Sequence, residues 1–373
     1  MWLWEHANWS EFLWDHDAFA EKLRHFHFKQ GLMLGKVVSQ SDDQLATMLD
    51  NLLANIVNSC AIEGEFLNAF SVRSSLANKL GIAENKPFPT TKETDGLAEI
   101  MLDVVENSDS DLTLKRVLRW HELLFPADSE ALFSKIVGGK IRATRPMQVV
   151  SGRLDKPKVH FEAPPHNLLQ AELARFFVWF NQSKQQKSLD PIIRAAIAHL
   201  WFVTIHPFEE GNGRLTRSIT DLALAQGDKQ SIRFYSMSVS LLENRKSYYQ
   251  ILEATQRGDK DITAWISWFI DMLDLTVGNV IAQVDQTLFK TQYWRQRNQS
   301  LLTPDQAKVL NRMLDGDFEL GINAAQYAKV AKVSRATATR HLTFLAENNF
   351  VKKSLAGGRS TRYLLIYVSD QIK

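Results

Sequence analysis

Residues His206-Pro-Phe-Glu-Glu-Gly-Asn-Gly-Arg-Leu-Thr-Arg217 bring an imidazole, two carboxylates, a Gly-Asn-Gly turn and two guanidiniums into one short stretch. An imidazole with an ordinary pKa near 6.5 can take a proton from a hydroxyl at neutral pH, which makes His206 a candidate general base. The first amides of a helix have no intrahelical partner and carry the positive end of its dipole. A helix opening at Gly211, Asn212 and Gly213 is therefore an anion site, and glycine lets a phosphate approach the backbone closely. Arg214 and Arg217 lie three residues apart on one helical face and can clamp further phosphate oxygens. Glu210, just before the turn, is placed to hold a magnesium ion that bridges phosphates. The chemistry these groups suit is attack of a hydroxyl on a nucleotide phosphate.

Two helices must position the stretch. Asp190 and Pro191 stand where an N-cap and a first helical residue belong, opening an apolar helix over 192–205 that delivers His206 at its end. Pro207 stops that helix. Beyond Gly213 a second pattern (Leu215, Ile219, Leu222, Leu224) runs to Gly227, so the glycine turn lies at a helix N-terminus.

The stretch resembles, position for position, the His-x-Phe-x-Asp/Glu-Gly-Asn-Gly-Arg-x-x-Arg signature of Fic-domain proteins, which typically move AMP from ATP to a protein hydroxyl. The resemblance implies a mainly α fold, a Fic-type helical bundle with a short β-hairpin flap. It implies an adenylyltransferase in which His206 deprotonates a Ser, Thr or Tyr hydroxyl and the Gly211, Asn212 and Gly213 backbone holds phosphate oxygens. In the same scheme Arg214 and Arg217 position the outer phosphates, Glu210 binds Mg²⁺ and Phe208 anchors the loop. Upstream, Ser59-Cys60-Ala61-Ile62-Glu63-Gly64 is similar to the Ser/Thr-x-x-x-Glu-Gly/Asn inhibitory motif of Fic proteins restrained from their N-terminal side. On that likeness Glu63 pairs with Arg217 and silences the resting enzyme.

Elsewhere the pattern is mostly helical. Residues 1–40 are rich in Trp and Phe and read as a packed arm, with a partner-binding surface as the other reading. His25 and His27 have no third ligand beside them. Helices are expected over 41–57, with Ser41 as N-cap, and over 67–80, 94–105, 113–125 and 168–180. The pattern then fails over 138–165, leaving β-type pieces at 148–150 and 158–161 around Ser151-Gly152-Arg153. Position and character resemble the Fic flap, which pairs with the target backbone as an added strand. A helix over 241–254 borders the adenine pocket in related proteins, so Asn244 and Tyr248 are candidate base contacts; a core role for Tyr248 is the alternative.

From Thr303-Pro304-Asp305-Gln306 onward the character changes to three short helices and two strands around Gly357-Gly358-Arg359. This is a winged helix-turn-helix pattern, an α+β domain. Residues 323–373 hold nine Lys and Arg against Glu347 and Asp370, about +7, so with +2 overall the first 322 residues carry about −5. A basic wing favours duplex DNA, with protein docking as the alternative. The expected organisation is an N-terminal arm with the inhibitory helices (1–92), a catalytic core (93–298) and the winged helix (299–373).

At 373 residues, 45% hydrophobic and 23% charged, the chain can build several cores. One cysteine, Cys60, excludes an intramolecular disulfide and a Cys-rich zinc site and fits a cytoplasmic location. No secretory apolar segment opens the chain, and charges interrupt the runs at 192–205 and 262–277, so no membrane partner is expected. Gly31-Leu-Met-Leu-Gly35-Lys36-Val37 is not a Walker A loop, and Phe125 stands where His-Glu-x-x-His needs its second histidine. The leading function is protein adenylylation with ATP and Mg²⁺, on a target or on the chain itself. Kept beside it are removal of AMP, with Glu63 orienting a water, and a DNA-binding regulator whose nucleotide pocket only senses. Assembly into a homodimer is left open.

Overall fold

The computed structural model describes residues 1–38, 44–84, 86–127, 136–153, 156–227, 235–354 and 361–366. The chain divides into two units, Met1–Val280 and Ile281–Lys373. The division falls inside a helix, Thr263–Arg295. The expected boundary at 299 follows the change in composition, whereas packing separates earlier, because the helix continues unbroken through the point where its neighbours change.

In the first unit the helices are α1 (Ala20–Val38), α2 (Gln44–Ile62), α3 (Ala69–Leu80), α4 (Lys92–Glu106) and α5 (Leu114–Leu124). A hairpin follows, β1 (Gln148–Arg153) and β2 (Lys156–Glu162), then α6 (His166–Ser183), α7 (Pro191–Ile205), α8 (Asn212–Gly227), α9 (Met237–Glu243), α10 (Arg245–Gln256) and the part of α11 (Thr263–Arg295) that ends at Val280. The centre is α7. Asp190 caps it through Oδ1 to the Ile192 N–H at 2.8 Å, Pro191 starts it, and every residue from Ile192 to Ile205 is buried. A helix apolar on all sides has to be surrounded, and α6, α8 and the N-terminal arm do so. Trp9 and Phe12 meet the Trp201 ring edge-on at 6.0 and 5.8 Å.

The polar residues of α7 tie its neighbours together. Arg194 donates to the Phe180 carbonyl and to Gln226 Oε1, both at 2.7 Å, and to Ser183 Oγ at 2.8 Å, so α6, α7 and α8 share one guanidinium. His199 bridges Thr220 Oγ1 at 2.9 Å and the Tyr248 hydroxyl at 2.8 Å, with burial pushing its pKa down to about 3. A neutral imidazole therefore links α7, α8 and α10. By length and composition α11 could cross a membrane, but Trp265, Ile266, Phe269, Ile270, Leu273 and Val277 on it are buried in the core.

Several local expectations shift. The helix expected to stop near 57 runs through Ile62, since Asn58 to Ile62 include nothing that breaks a helix. Ser41 lies outside the described residues. The helix expected over 241–254 is two, α9 and α10, which meet at Asn244, whose φ of −107° and ψ of 26° leave the helical region. Ser151, Gly152 and Arg153 belong to strand β1 rather than to the turn.

The second unit contains α12 (Pro304–Leu314), α13 (Ala324–Ala331), α14 (Arg335–Glu347) and the antiparallel strands β3 (Val351–Lys353) and β4 (Tyr363–Leu365). Thr303 caps α12 through the Gln306 N–H, and Gln306 caps back on Thr303. Asn323 and Gln326 form the same reciprocal pair on α13. Val309, Leu310, Tyr327, Leu342, Leu345 and Phe350 make a core of its own. Gly357, Gly358 and Arg359 lie outside the described residues.

Candidate active site

His206 ends α7 in the left-handed region, φ 49° and ψ 60°, its own N–H still bonded to the Phe202 carbonyl at 3.2 Å. A non-glycine residue is held there only by its surroundings. Arg142 supplies them: its Nε donates to the His206 carbonyl at 2.8 Å, its backbone N–H to the Pro207 carbonyl at 2.9 Å and its Nη2 to the Pro164 carbonyl. The His206 ring donates from Nδ1 to the Val203 carbonyl at 3.2 Å, which leaves Nε2 as a proton acceptor. Burial pushes the imidazole pKa down to about 4, so the ring is neutral at pH 7.

The loop between α7 and α8 is fastened from both sides. Phe208 is buried and stacks on His121 at 4.1 Å and 11°. His121 Nδ1 accepts from the Gly139 N–H at 2.9 Å, so its Nε2–H donates to the Glu210 carbonyl at 3.3 Å. The Asn212 side chain accepts from the Phe208 N–H at 3.0 Å and donates to the Phe208 carbonyl at 2.8 Å. Asn212 therefore holds the turn with its side chain while its backbone opens α8. Gly211 has φ 81°, and a Cβ there would come within 2.8 Å of the Phe125 ring. The Glu210 side chain is exposed at the mouth of this turn.

At the start of α8 both arginines meet carboxylates from the segment after α2. Arg217, 3% exposed, donates from Nε to Ser59 Oγ, from Nη2 to the Ser59 carbonyl and from Nη1 to Glu63 Oε1, each at 2.8 Å. The Tyr249 hydroxyl donates to Glu63 Oε2 at 3.3 Å. A Cβ on Gly213 would lie 2.1 Å from Glu63 Oε1, so the carboxylate sits directly over the first turn of α8, where an anion is most favoured. Burial alone would raise the Glu63 pKa, but the Arg217 charge and hydrogen bond overcome it and hold the group below the usual carboxylate range. Arg214 bonds Glu65 Oε2 at 2.5 Å and lies over the Phe125 ring at 5.1 Å. Its Nε and Nη2 are buried without a hydrogen-bond partner among the described residues.

Behind this pair, one helical turn past Arg217, Asp221 is buried. Asn55 Nδ2 of α2 donates to Asp221 Oδ2 at 2.8 Å, and Ser238 Oγ of α9 donates to Asn55 Oδ1 at 2.6 Å. The α2 side chain Asn55 thus links the Asp221 carboxyl of α8 to Ser238 of α9, and burial pushes the carboxyl pKa up to about 7.

A cleft of about 420 Å³ opens in front of these groups. His206, Gly213 and Glu63 form one wall; the hairpin (Val149, Phe161) and α10 (Tyr249, Leu252) form the others. Tyr248 lines it too, although it is 1% exposed and its hydroxyl is committed to His199. Asn244 is not among the lining residues; its Nδ2 donates to the Ser240 carbonyl at 3.0 Å. Tyr249, Arg142 and His121 were missed in the sequence. Tyr249 is adjacent to Tyr248 and shows the same pattern, whereas Arg142 lies in a stretch without periodicity and gives no signal.

Residues 111–224 match the model of the Fic/DOC family, and residues 2–82 match that of a domain of unknown function, DUF4172. The first match contains the 206–217 stretch and the second contains Glu63. The chain is 27% identical over 228 residues to a protein adenylyltransferase Fic of Culex quinquefasciatus, covering 60% of this chain and 41% of that protein. It is 27% identical over 248 residues to protein adenylyltransferase fic-1 of Caenorhabditis briggsae, covering 63% and 44%. The chain thus spans less than half the length of these curated relatives. Among solved structures, a Fic family protein from Desulfovibrio desulfuricans G20 superposes with a TM-score of 0.54 at 18% identity, over 92% of this chain and 96% of that one. Fic-1 (residues 134–508) from C. elegans gives 0.51 at 20% identity, over 72% and 73%. These likenesses show a mainly helical, Fic-like fold.

The buried Asp221 makes a signed prediction. Its folded pKa lies above the unfolded value of 3.8, so the stability it contributes is complete below that value and is lost as pH rises through about 7. Between pH 7 and pH 5 the native protein should gain about 2 kcal/mol relative to an Asp221→Asn variant, read from urea midpoints at the two pH values. Parallel pH profiles for the two proteins would show that Asp221 is ionised in the fold.

Proposed function

We propose that the chain is a protein adenylyltransferase that moves AMP from ATP to a hydroxyl of a protein and that restrains itself through Glu63. The observation that carries this reading is the shared cleft. A neutral imidazole and a helix N-terminus face one space, and a carboxylate of the chain itself, paired with Arg217, occupies the anion position. The names of the curated relatives support the same activity.

In this reading His206 Nε2 takes the proton of the incoming hydroxyl as its oxygen attacks the α-phosphorus. The first amides of α8, spaced by Gly211 and Gly213, hold the phosphate oxygens on which charge builds. Arg214 and Arg217 would grip the outer phosphates once their carboxylate partners Glu65 and Glu63 are displaced. Pyrophosphate leaves. No group of three or more His, Cys, Asp or Glu able to hold a metal occurs among the described residues. Mg²⁺ usually binds through one or two carboxylates plus substrate phosphates, a role that the exposed Glu210 fits. When bound with the nucleotide, the ion would neutralise phosphate charge.

Self-restraint follows from occupancy. With Glu63 on Arg217 and above Gly213, ATP lacks its clamp, and a small misplacement of the α-phosphorus costs large factors in rate. The hairpin β1–β2 borders the cleft and fits a flap that presents the target backbone as an added strand. For the second unit we read α12–α14 with β3 and β4 as a winged helix, with Arg335 and Arg340 on α14 and Lys352 and Lys353 on β3 exposed toward duplex DNA.

Labelled ATP with lysate tests the central reading. His206→Ala should lower AMP delivery to lysate proteins by roughly 10²–10⁴-fold while ATP binding is retained, and chelation of divalent cations should abolish delivery. Undiminished delivery by the variant would remove His206 from the role of base. Glu63→Gly should raise incorporation at saturating Mg-ATP, by about tenfold for each 1.4 kcal/mol by which the Glu63 contact favours the closed state. Equal rates in the two proteins would refute restraint by Glu63. For the second unit, DNA affinity of the full chain should fall steeply with salt as Lys and Arg contacts release counterions. A flat response would assign the unit to protein docking.

A further inference from the structure

The hairpin carries a second set of reactive groups that the transfer mechanism leaves unused. Ser151 Oγ of β1 lies 2.6 Å from His160 Nε2 of β2, and His160 Nδ1 lies 2.7 Å from Glu253 Oε2 of α10. The carboxylate can only accept, so Nδ1 carries the proton and Nε2 is left to accept from the Ser151 hydroxyl. Nucleophile, base and orienting acid are in hydrogen-bond sequence, the arrangement that activates a serine.

The backbone shows how these groups come to meet. Strand pairing passes from Val149 opposite Phe161 to Val150 opposite Val159, which leaves His160 as the extra residue of a β-bulge. In a regular strand, adjacent residues point to opposite faces. The bulge lets both His160 and Phe161 line the cleft, and such irregularities commonly re-aim a side chain beside a site. Arg257 then fixes the acid: its Nε lies 3.3 Å from Glu253 Oε1, and its Nη2 donates to the Val159 carbonyl at 2.8 Å. The hydrogen bond from His160, followed by the nearby cationic charges, keeps Glu253 below the usual carboxylate range.

Ser151 lines the same cleft as Gly213 and His206. The anion-stabilising element in that cleft is the first turn of α8, which suits a phosphate. We propose that Ser151 is an acceptor of AMP within the chain, served by its own base, His160, with Glu253 holding that base in position. This rests on the reading of the cleft as an ATP site. In the step, the bond from Ser151 Oγ to the α-phosphorus forms as the bond from phosphorus to the bridging oxygen breaks. Pyrophosphate leaves with the electron pair, and the hydroxyl proton passes to His160 Nε2 and from there to water. Glu253 stabilises the imidazolium formed on the way.

The test is peptide mass spectrometry on the full chain after incubation with Mg-ATP, for the wild type, Glu63→Gly, and His160→Gln and His206→Ala in the Glu63→Gly background. The expected result is AMP on Ser151, with its share of the incorporated AMP falling at least tenfold in His160→Gln. In His206→Ala, Ser151 stays labelled while delivery to lysate proteins is lost. Ser151→Thr, which keeps the hydroxyl on an exposed strand position, should retain AMP at residue 151. AMP found only on other residues of the chain overturns the assignment and leaves the transferase reading standing, and so does Ser151 labelling that depends on His206 but not on His160. AMP on no residue and no lysate protein in any variant overturns both.

Discussion

The structure of the first unit depends on how it accommodates one buried guanidinium. Arg217 is 3% exposed and lies next to a helix N-terminus that already carries positive potential. A charge in that position has to be paired, because leaving it alone costs several kcal/mol (about 3–5 when one partner of a buried pair is removed). The chain pairs it by bringing the end of α2 and the residue after it to α8, so that Ser59 supplies two acceptors and Glu63 the countercharge. Docking of α2 and the electrostatics of the cleft are consequently one problem with one solution.

The frame that makes this possible is polar where it joins helices and apolar elsewhere. Arg194 gathers α6, α7 and α8, His199 gathers α7, α8 and α10, and Asp221 with Asn55 gathers α2, α8 and α9. Each is buried and each has its hydrogen bonds made, which is the condition for a buried polar group to specify geometry without loosening the core. Arg142 and His121 act in the same way on the loop, one holding the strained His206 backbone and the other the Glu210 carbonyl. The local strain at His206 is therefore borne by residues distant in sequence.

Much of this was legible in the residue order, and for stated reasons. Local signals survived folding: Asp190-Pro191 opens α7, Thr303 to Gln306 caps α12, and the glycine turn opens α8, because caps and turns depend on a few adjacent residues. The pairing of Glu63 with Arg217 was expected from a motif and is present as geometry, though no periodicity would have joined residues 154 positions apart. What was not legible depends on tertiary contact. Tyr248 has the pattern of a cleft residue, yet its hydroxyl is claimed by His199, and Asn244 ends one helix and starts the next with its amide turned to Ser240. The His160 bulge leaves no mark in alternation, since shifting a strand by one residue changes only which face each side chain takes. The boundary between units could not be seen either, because it falls within the continuous helix α11.

The position of Glu63 has a thermodynamic consequence that holds whatever anion enters the cleft. An anion bound to Arg217 and to the first turn of α8 takes the place of that carboxylate, so its affinity and the docking of the end of α2 are linked, and each must weaken the other by the same factor. The linkage need not involve all of α2. Asn55 is bonded to Asp221 and Ser238 two turns before Glu63, and Leu49, Leu52 and Ile56 are buried, so most of the helix is fixed independently of the Glu63 contact. The end of α2 is held differently, by Ser59 and Glu63 on Arg217 and by Tyr249 on Glu63. Release therefore calls for displacement of about one helical turn and a rotamer change at Glu63, a local opening of the kind that costs far less than unfolding the unit. A carboxylate held in this way can leave the cleft while the rest of the fold stays in place.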